Sequence, residues 1–180
     1  YYSVYLADFN VTTEITPTDR AALFRFTFPK IDSSYVVIDA FDKGSYVKIV
    51  PRERKVIGYT TKNSGGVPDN FKNYFVVLFD TDFDSSVLFS GEELLKNSQE
   101  LQADHVGAVI GFKTKKGQQV SAKVASSFIS FDQAERNLKE LGSDTFDQVK
   151  AKGRSVWNKE LGRIQVEGGT PDQIKTFYSC

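Results

Sequence analysis

The hydrophobic period changes once along this 180-residue chain, and that change limits the possible folds more than any other feature. Before Ser130 apolar residues alternate with polar ones, as in residues 21–28, where Phe24, Phe26 and Phe28 share one face. A period of two is that of a β-strand with one buried face. After Ser130 the apolar residues recur at helical spacing. The sequence therefore predicts a mainly β region followed by helices.

Short segments with the β period follow one another closely, and turn-forming residues separate most of them. Without long helices in between, this pattern is typical of an antiparallel sandwich. Residues 90–104 are ambiguous, and residues 92–96 could form a short helix. The predicted fold class is mainly β, an antiparallel β-sandwich followed by C-terminal linker helices. We predict strands at residues 2–7, 11–16, 21–28, 35–40, 46–50, 56–61, 74–79, 106–113 and 119–128.

Three helices are expected after Ser130. Asp132 and Glu135 have the spacing of a capping box, and Gly142 is a natural C-terminal stop. A second helix opens near Thr145, which has Gln148 three residues later. A third opens at Thr170, where Pro171 occupies the first helical position and Gln173 completes the box.

The second helix carries the longest apolar stripe, which includes Phe146, Val149, Val156 and Leu161. We expect this stripe to bury Trp157 partly against the sandwich or a neighbouring helix. Gly153 lies on the same stripe and would permit close approach.

Composition excludes some functional classes. The chain has 23 basic and 23 acidic residues, so it lacks the basic surface that nucleic-acid binding requires. No apolar run approaches the roughly 20 residues of a membrane span. The single cysteine, Cys180, cannot form an internal disulfide. Since residue 1 is not Met and the last helix has an unpartnered apolar stripe, we expect a segment of a longer protein.

Two blocks of the sequence resemble glycoside hydrolase family 92, the bacterial exo-acting α-mannosidases. The first comprises residues 1–8, YYSVYLAD, with Glu14-Ile15-Thr16 and residues 19–29. The second comprises residues 157–164, WNKELGRI, with residues 166–170 and Phe177-Tyr178. Looser similarity between the blocks, including residues 73–79, extends the resemblance over nearly the whole chain.

The resemblance implies a galactose-mutarotase-like β-sandwich at residues 1–130, incomplete at its N-terminus. Residues 131–180 would be a helical linker to a helical-toroid catalytic domain beyond Cys180. The implied activity of the full-length enzyme is calcium-dependent hydrolysis of terminal α-mannosides of glycans, such as N-glycans, with inversion, as an α-1,2-mannosidase. The catalytic carboxylates and calcium ligands would lie outside this segment, which should be inactive alone. The implied location is secreted, periplasmic or on the outer surface of a bacterium.

Gly65 and Gly66 are the candidate substrate-binding residues. They lie in a loop, residues 62–73, that is rich in turn formers. Glycines let a backbone approach a ligand closely, and binding residues concentrate on loops. The resemblance places this loop near the rim of the sugar pocket, whereas an ordinary surface loop is the plain alternative.

Other candidates have plainer interpretations. Asp80, Asp82 and Asp84 alternate as in a calcium loop, but the glycine and distal glutamate of an EF-hand do not follow. A solvated turn is the simpler interpretation. His105, the only histidine, has no identifiable catalytic partner in the sequence. Nothing indicates an activating environment for Cys180.

Two other functions stay open. One is a free-standing carbohydrate-binding sandwich without chemistry, which should show an exposed aromatic platform. The other is a structural domain unrelated to sugar. The helices after Ser130 favour the mannosidase segment over both.

Overall fold

The computed structural model describes all residues 1–180 and contains twelve strands and three α-helices. Short 3₁₀ turns occupy Pro51–Glu53 and Lys139–Leu141. The helices are α1 (Phe131–Leu138), α2 (Phe146–Leu161) and α3 (Pro171–Ser179). The strands are β1 (Tyr2–Leu6), β2 (Val11–Pro17), β3 (Ala21–Thr27), β4 (Ile31–Asp39), β5 (Ser45–Val50), β6 (Lys55–Thr60), β7 (Asn73–Phe79), β8 (Ser85–Ser90), β9 (Glu93–Leu95), β10 (Glu100–Ala103), β11 (Val106–Thr114) and β12 (Gln119–Ser127).

The strands form two sheets, and every pair in them is antiparallel. The large sheet has eight strands in the order β1-β2-β3-β12-β7-β6-β5-β10. The small sheet has four in the order β4-β11-β8-β9. The predicted fold class, antiparallel sheets followed by helices, is thus confirmed.

The main core lies between the two sheets, where alternate residues of each strand point inward. Val47, Ile49 and Val56 from the large sheet meet Ile110 and Phe112 from the small one. The three phenylalanines of β3 and its end share the inner face as predicted, with stacked rings 6.0 and 6.2 Å apart.

A second, smaller core lies on the outer face of the large sheet, under the helices. Leu23 of β3 packs there with Leu141, Phe146 and Val149, all of which are buried. β3 is therefore covered on both faces at this point. Side-chain capping bonds at Ser130, Thr145 and Thr170 fix where the three helices begin.

Four details of these elements differ from what the sequence suggested. Residues 92–96 do not form a helix, because Gly91 turns the chain between β8 and β9 at φ 56°. β8 was not predicted, and β4 begins four residues before Tyr35. The first helix is capped by Ser130, whose hydroxyl accepts from Gln133 N, and not by Asp132. The predicted capping boxes at Thr145 and Thr170 are both confirmed.

Three strand glycines each lie directly opposite an aromatic residue on the neighbouring strand. Gly107 pairs with Phe89, Gly58 with Phe75, and Gly111 with Tyr35. A Cβ at Gly107 would lie 2.1 Å from Phe89 Cζ, so the ring occupies the space of the missing side chain. These glycines are required by packing, since each lets an aromatic ring cross its strand.

Candidate functional site

Four connections meet at one end of the sandwich, which we call the helix-proximal rim: residues 40–44, 61–72, 104–105 and 128–130. The strand register brings them together, because Ser45 pairs with both Thr60 and Ala103, and Tyr74 pairs with Ser127. The chain leaves the sandwich for α1 at this end. The rim is therefore the end of the sandwich from which the helical region begins.

The Gly65–Gly66 loop is exposed on this rim, as predicted. Gly65 and Gly66 have φ values of 106° and 74°, and an added Cβ would meet no atom within 4 Å. Asn63 shapes the loop: its Oδ1 accepts from Gly65 N at 2.8 Å, while its Nδ2 donates to Thr61 O at 2.8 Å. The two glycines thus allow the positive φ values of this turn, and the space beside them is open. Their contact with sugar stays a prediction.

An exposed apolar patch lies beside this loop. Phe71, at the end of the loop, packs on Phe128 with ring centroids 5.6 Å apart. Phe128 and Ile129 are 70% and 76% exposed. The sequence analysis identified neither phenylalanine as a candidate. Alternation assigns residues to the two faces of a strand, but it does not show whether an aromatic residue beyond the strand is exposed.

The 40–44 turn places two residues other than glycine in the left-handed region. Phe41 has φ 62° and Lys43 has φ 71°. Asp39 Oδ1 accepts from Phe41 N at 2.8 Å and lies 2.8 Å from His105 Nε2. Such strain in a bulky residue persists only where its surroundings hold it. His105 is thus a turn-supporting residue at the rim.

One ion pair joins this turn to the glycine loop. Lys62 donates to Asp42, and this hydrogen bond lowers the pKa of the Asp42 carboxyl. Thr61 bonds the carbonyl of Gly44 at 2.9 Å. The two turns of the rim are therefore connected by polar contacts, although both charges are solvent-exposed and worth little in stability.

The three alternating aspartates lie away from the rim and serve two turns. Asp80 Oδ1 accepts from Ser121 N at 2.9 Å, and Asp84 Oδ2 accepts from Lys113 N at 2.7 Å. Asp82 is almost fully exposed. No group of three or more His, Cys, Asp or Glu side chains comes close enough to hold a metal ion. Asp80, Asp82 and Asp84 therefore do not converge on one ion, and Cys180 is exposed.

The start of α2 is attached to the large sheet by a charged and aromatic cluster. Arg25 binds Glu14 with two bonds of 2.7 and 2.9 Å, and its guanidinium lies 4.1 Å from the Phe146 ring centre. The bond from Arg25 lowers the pKa of Glu14, and Tyr1 adds a 2.7 Å bond to the same carboxylate. This cluster fixes the direction in which α2 leaves the sandwich.

The far half of α2 has no partner in the structure, contrary to our expectation. Trp157 is 66% exposed, and Val156 is also exposed. A Cβ at Gly153 would meet nothing within 4 Å, so no close packing occurs there. The expectation was wrong because helical spacing identifies an apolar face without identifying what covers it.

The chain thus consists of two kinds of structure. An antiparallel sandwich comes first, and after its last strand three capped helices follow, of which α2 is packed on the sandwich only in its first half. The family comparisons have the same division. The N-terminal domain of glycosyl hydrolase family 92 matches residues 1–127, and the catalytic domain of that family matches residues 133–180. The chain belongs to glycosyl hydrolase family 92.

Among solved structures, the chain is similar to the GH92 inverting mannosidase BT2199 from Bacteroides thetaiotaomicron VPI-5482. The TM-score is 0.94 and the identity 39%, over 99% of this chain and 24% of that one. It is also similar to the GH92 α-mannosidase BT3965 of the same species, solved with mannoimidazole, with a TM-score of 0.85 and 30% identity over 93% and 23% of the chains. At 20% identity the GH92 glycosyl hydrolase ccman5 shares the fold, with a TM-score of 0.76 over 89% and 22%.

The chain therefore spans about a quarter of the length of these relatives. No curated protein is significantly similar to it in sequence. No helix has the length and apolar character needed to cross a membrane.

Proposed function

We propose that this chain is the N-terminal part of an inverting exo-α-mannosidase that removes terminal α-mannose, in the α-1,2 linkage, from glycans. The observation that supports the proposal most is the similarity to BT2199, which extends over 99% of the chain without interruption between sandwich and helices. In the proposal the enzyme acts outside the bacterial cytoplasm, where glycans such as N-glycans are found.

Inversion requires one protonated carboxyl and one ionised carboxylate, about 6.5–9.5 Å apart, on opposite sides of the scissile bond. We assign both, and the calcium, to the part of the catalytic domain outside residues 133–180. The sandwich contributes a pocket rim in this proposal: the Gly65–Gly66 backbone lies close to the sugar, and Phe128 excludes water beside it. Substrate would therefore bind between the rim and the helical domain.

The exposed half of α2 is the surface that the rest of the catalytic domain would cover. Val156, Trp157 and Leu161 are all exposed, yet they continue the stripe that Phe146 and Val149 begin. The catalytic-domain match across these helices supports this assignment. Covering them would turn a marginal helix into part of a helical core.

A free-standing carbohydrate-binding sandwich is the second candidate, and one observation favours it. Phe128 is exposed and packs on the half-buried Phe71, so the pair offers an aromatic surface of the kind that such a function needs for stacking on sugar rings. Under this alternative the 180-residue chain binds mannosides by itself and the binding is lost in Phe128→Ala.

Activity distinguishes the two candidates. The 180-residue chain and the full-length polypeptide are incubated with calcium and an aryl α-mannoside, and the anomer released is followed by proton NMR. We expect the full-length protein to release β-mannose first, and the chain to release none. Mannose released by the chain alone, or retention by the full-length enzyme, would contradict the proposal.

The role of the glycine loop is tested by a matched pair of substitutions in the full-length enzyme. Gly66→Ala and Gly117→Ala both force alanine into a positive φ, of 74° and 75°, with no steric clash. Gly117 lies in the turn before β12, at the opposite end of the sandwich. Each change should cost a similar stability of about 1 kcal/mol, but only Gly66→Ala should raise KM. Equal KM values for the two variants would remove the loop from the pocket.

A further inference from the structure

One exposed side chain on the helix-proximal rim has an unfavourable conformation and belongs to neither core. Phe41 has φ 62°, in the left-handed region, where a bulky side chain is strained and glycine or asparagine is preferred. Its ring is 55% exposed and packs on neither hydrophobic cluster. Neither the backbone conformation nor burial of apolar surface therefore accounts for a phenylalanine at this position.

The turn that carries Phe41 is held on both sides of this residue. Asp39 Oδ1 accepts from Phe41 N at 2.8 Å and also lies 2.8 Å from His105 Nε2. Ala40 N donates to Val106 O at 3.1 Å. Strained residues that are held in this way cluster at ligand-binding positions. A backbone that is fixed before the ligand arrives also loses less conformational freedom on binding.

The groups beside Phe41 are polar and carry charges of both signs. Lys62 donates to Asp42, the residue that follows Phe41, and Lys43 is exposed next to this ion pair. A charged ligand would meet like charge here as well as opposite charge. A neutral ligand rich in hydroxyl groups finds both donors and acceptors, beside an apolar ring face. The chemistry of the site therefore fits a neutral sugar.

Phe41 and Phe128 lie on opposite sides of the Gly65–Gly66 loop. The strands that end at this part of the rim are ordered β12-β7-β6-β5, and the loop joins the middle two. Phe128 follows β12, and Phe41 lies in the turn before β5. Neighbouring strands are separated by about 4.8 Å, so β12 and β5 are about 14 Å apart. One sugar ring cannot span that distance, whereas two successive sugars of one glycan can.

We propose that Phe41 binds the sugar next to the terminal mannose, on the leaving-group side, and so favours oligosaccharides over mannosides with a small aglycone. This inference rests on the proposed function, in which the Gly65–Gly66 backbone and Phe128 lie beside the terminal sugar. An exo-acting enzyme encloses only the terminal unit, so the rest of the glycan lies across an open surface such as this rim. The exposed ring of Phe41 offers that next sugar an aromatic face for stacking.

Kinetics of the full-length enzyme with two substrates test the proposal. Phe41→Asn should raise KM for α-1,2-linked mannobiose about five- to tenfold, as expected for the loss of one aromatic contact. KM for methyl α-mannoside, which has no second sugar, should stay the same. Phe41→Tyr keeps the ring and should behave as the wild type. An unchanged KM for mannobiose in Phe41→Asn, or an equal rise for both substrates, would overturn the proposal.

Phe9→Asn is the matched control. Phe9 is 71% exposed and lies in the turn between β1 and β2, at the end of the sandwich opposite to the rim. Its substitution removes an exposed aromatic ring without touching the rim, so KM for both substrates should stay that of the wild type. A rise in KM for mannobiose as large as that in Phe41→Asn would contradict the assignment to Phe41.

Stability gives a second measurement, in which Phe41→Asn should be favourable. Asparagine adopts the left-handed region more readily than phenylalanine, so the change should raise the melting temperature of the 180-residue chain and of the full-length protein by a few degrees. A residue that costs stability and improves binding of one substrate is explained by that substrate. A lower melting temperature in either protein would mean that the ring packs against protein, and would overturn the proposal.

Failure of the proposed function and failure of this inference are distinguishable. A wild-type full-length protein that cleaves neither substrate would refute the mannosidase assignment, and the role of Phe41 with it. A wild type that cleaves both substrates, with the same KM for mannobiose as Phe41→Asn, would refute the role of Phe41 alone.

Discussion

Strand β5 and helix α2 carry equally clear apolar patterns, but only β5 buries its pattern along its whole length. In β5, residues 45, 47 and 49 alternate buried with half-buried neighbours along its whole length. In α2 the stripe continues to Leu161, whereas burial ends at Val149. An apolar pattern therefore identifies the apolar face of an element. Only the tertiary structure shows which other element, if any, covers that face.

The largest effect should come from the one part of α2 that is packed as tightly as the sheets. Phe146→Ala removes a buried ring from the outer core, and Phe→Ala changes at buried sites cost about 3 kcal/mol or more. Thermal unfolding of the 180-residue chain, followed by circular dichroism, should show a clearly lower midpoint. The ring also supports Arg25, so the substitution should loosen α2 from β2.

Leu161→Ala, further along the same stripe and 41% exposed, is the matched control for Phe146→Ala. Its effect should be within about 0.5 kcal/mol, as at most surface sites. If both changes cost the same, the division of α2 into a packed and an unpacked half is wrong.

Glycine replacements compare sheet and helix directly, with opposite signs expected. Gly107→Ala would force a methyl group against Phe89 and the backbone oxygen of Ile38, and overpacking of this kind costs about 2 kcal/mol. Gly153→Ala in α2 has open space, so helix propensity should raise the unfolding free energy by up to about 1 kcal/mol. Urea denaturation measures both. Combining Gly107→Ala with Phe89→Ala should recover part of the loss, and failure to do so would exclude the ring as the cause.

Acid should weaken the attachment of α2 through Glu14. The bond from Arg25 lowers the pKa of Glu14 from its ordinary 4.5, so its contribution to stability is complete above that value. The contribution is lost as the pH falls through the lower pKa of the folded state. The melting temperature of the native chain should therefore drop as the pH falls below the ordinary glutamate pKa of 4.5, and it should drop less in Glu14→Gln. Parallel pH profiles for the two proteins would show that the pair does not matter.

The smallest effect should be that of Trp157→Ala in the 180-residue chain, within about 0.5 kcal/mol because the ring is exposed. Trp157 is the single tryptophan, so its fluorescence reports this site alone. Emission should resemble that of tryptophan in water and be readily quenched by acrylamide. In the full-length protein, where the catalytic domain is proposed to cover the ring, Trp157→Ala should destabilise more than in the short chain. A buried indole in the short chain would contradict the structure described above.

The sequence predicted the structure correctly where the spacing of a few residues determines the local conformation. Phe24, Phe26 and Phe28 alternate, and Thr145 and Thr170 have glutamine three residues later, so strand face and helix start followed from spacing. The exposure of the loop at Gly65 was also predicted correctly. A run of turn-forming residues without apolar periodicity has no apolar face that could be buried.

The sequence was uninformative where two local choices cost nearly the same. Ser130 with Gln133 and Asp132 with Glu135 both have cap spacing, and only the end of β12 at Ser127 selects the first. β9 has three residues and lies at a sheet edge, so pairing with β8 overrides its composition. The left-handed conformation of Phe41 could not be predicted from the sequence. The hydrogen bond from Phe41 N to Asp39 Oδ1 that accompanies it forms only in the folded turn.

The place of the last strand has a consequence for synthesis on the ribosome. β1-β2-β3 and β5-β6-β7 are each local meanders, and β12 alone joins them by pairing with β3 on one side and β7 on the other. A nascent chain that has not yet released residues 119–127 can hold two separate ribbons but no continuous large sheet. Closure of these long-range pairs is slow relative to local hairpins. Translation past Ser127 thus sets the earliest moment at which the sandwich can assemble, just before the helices that will cover its outer face.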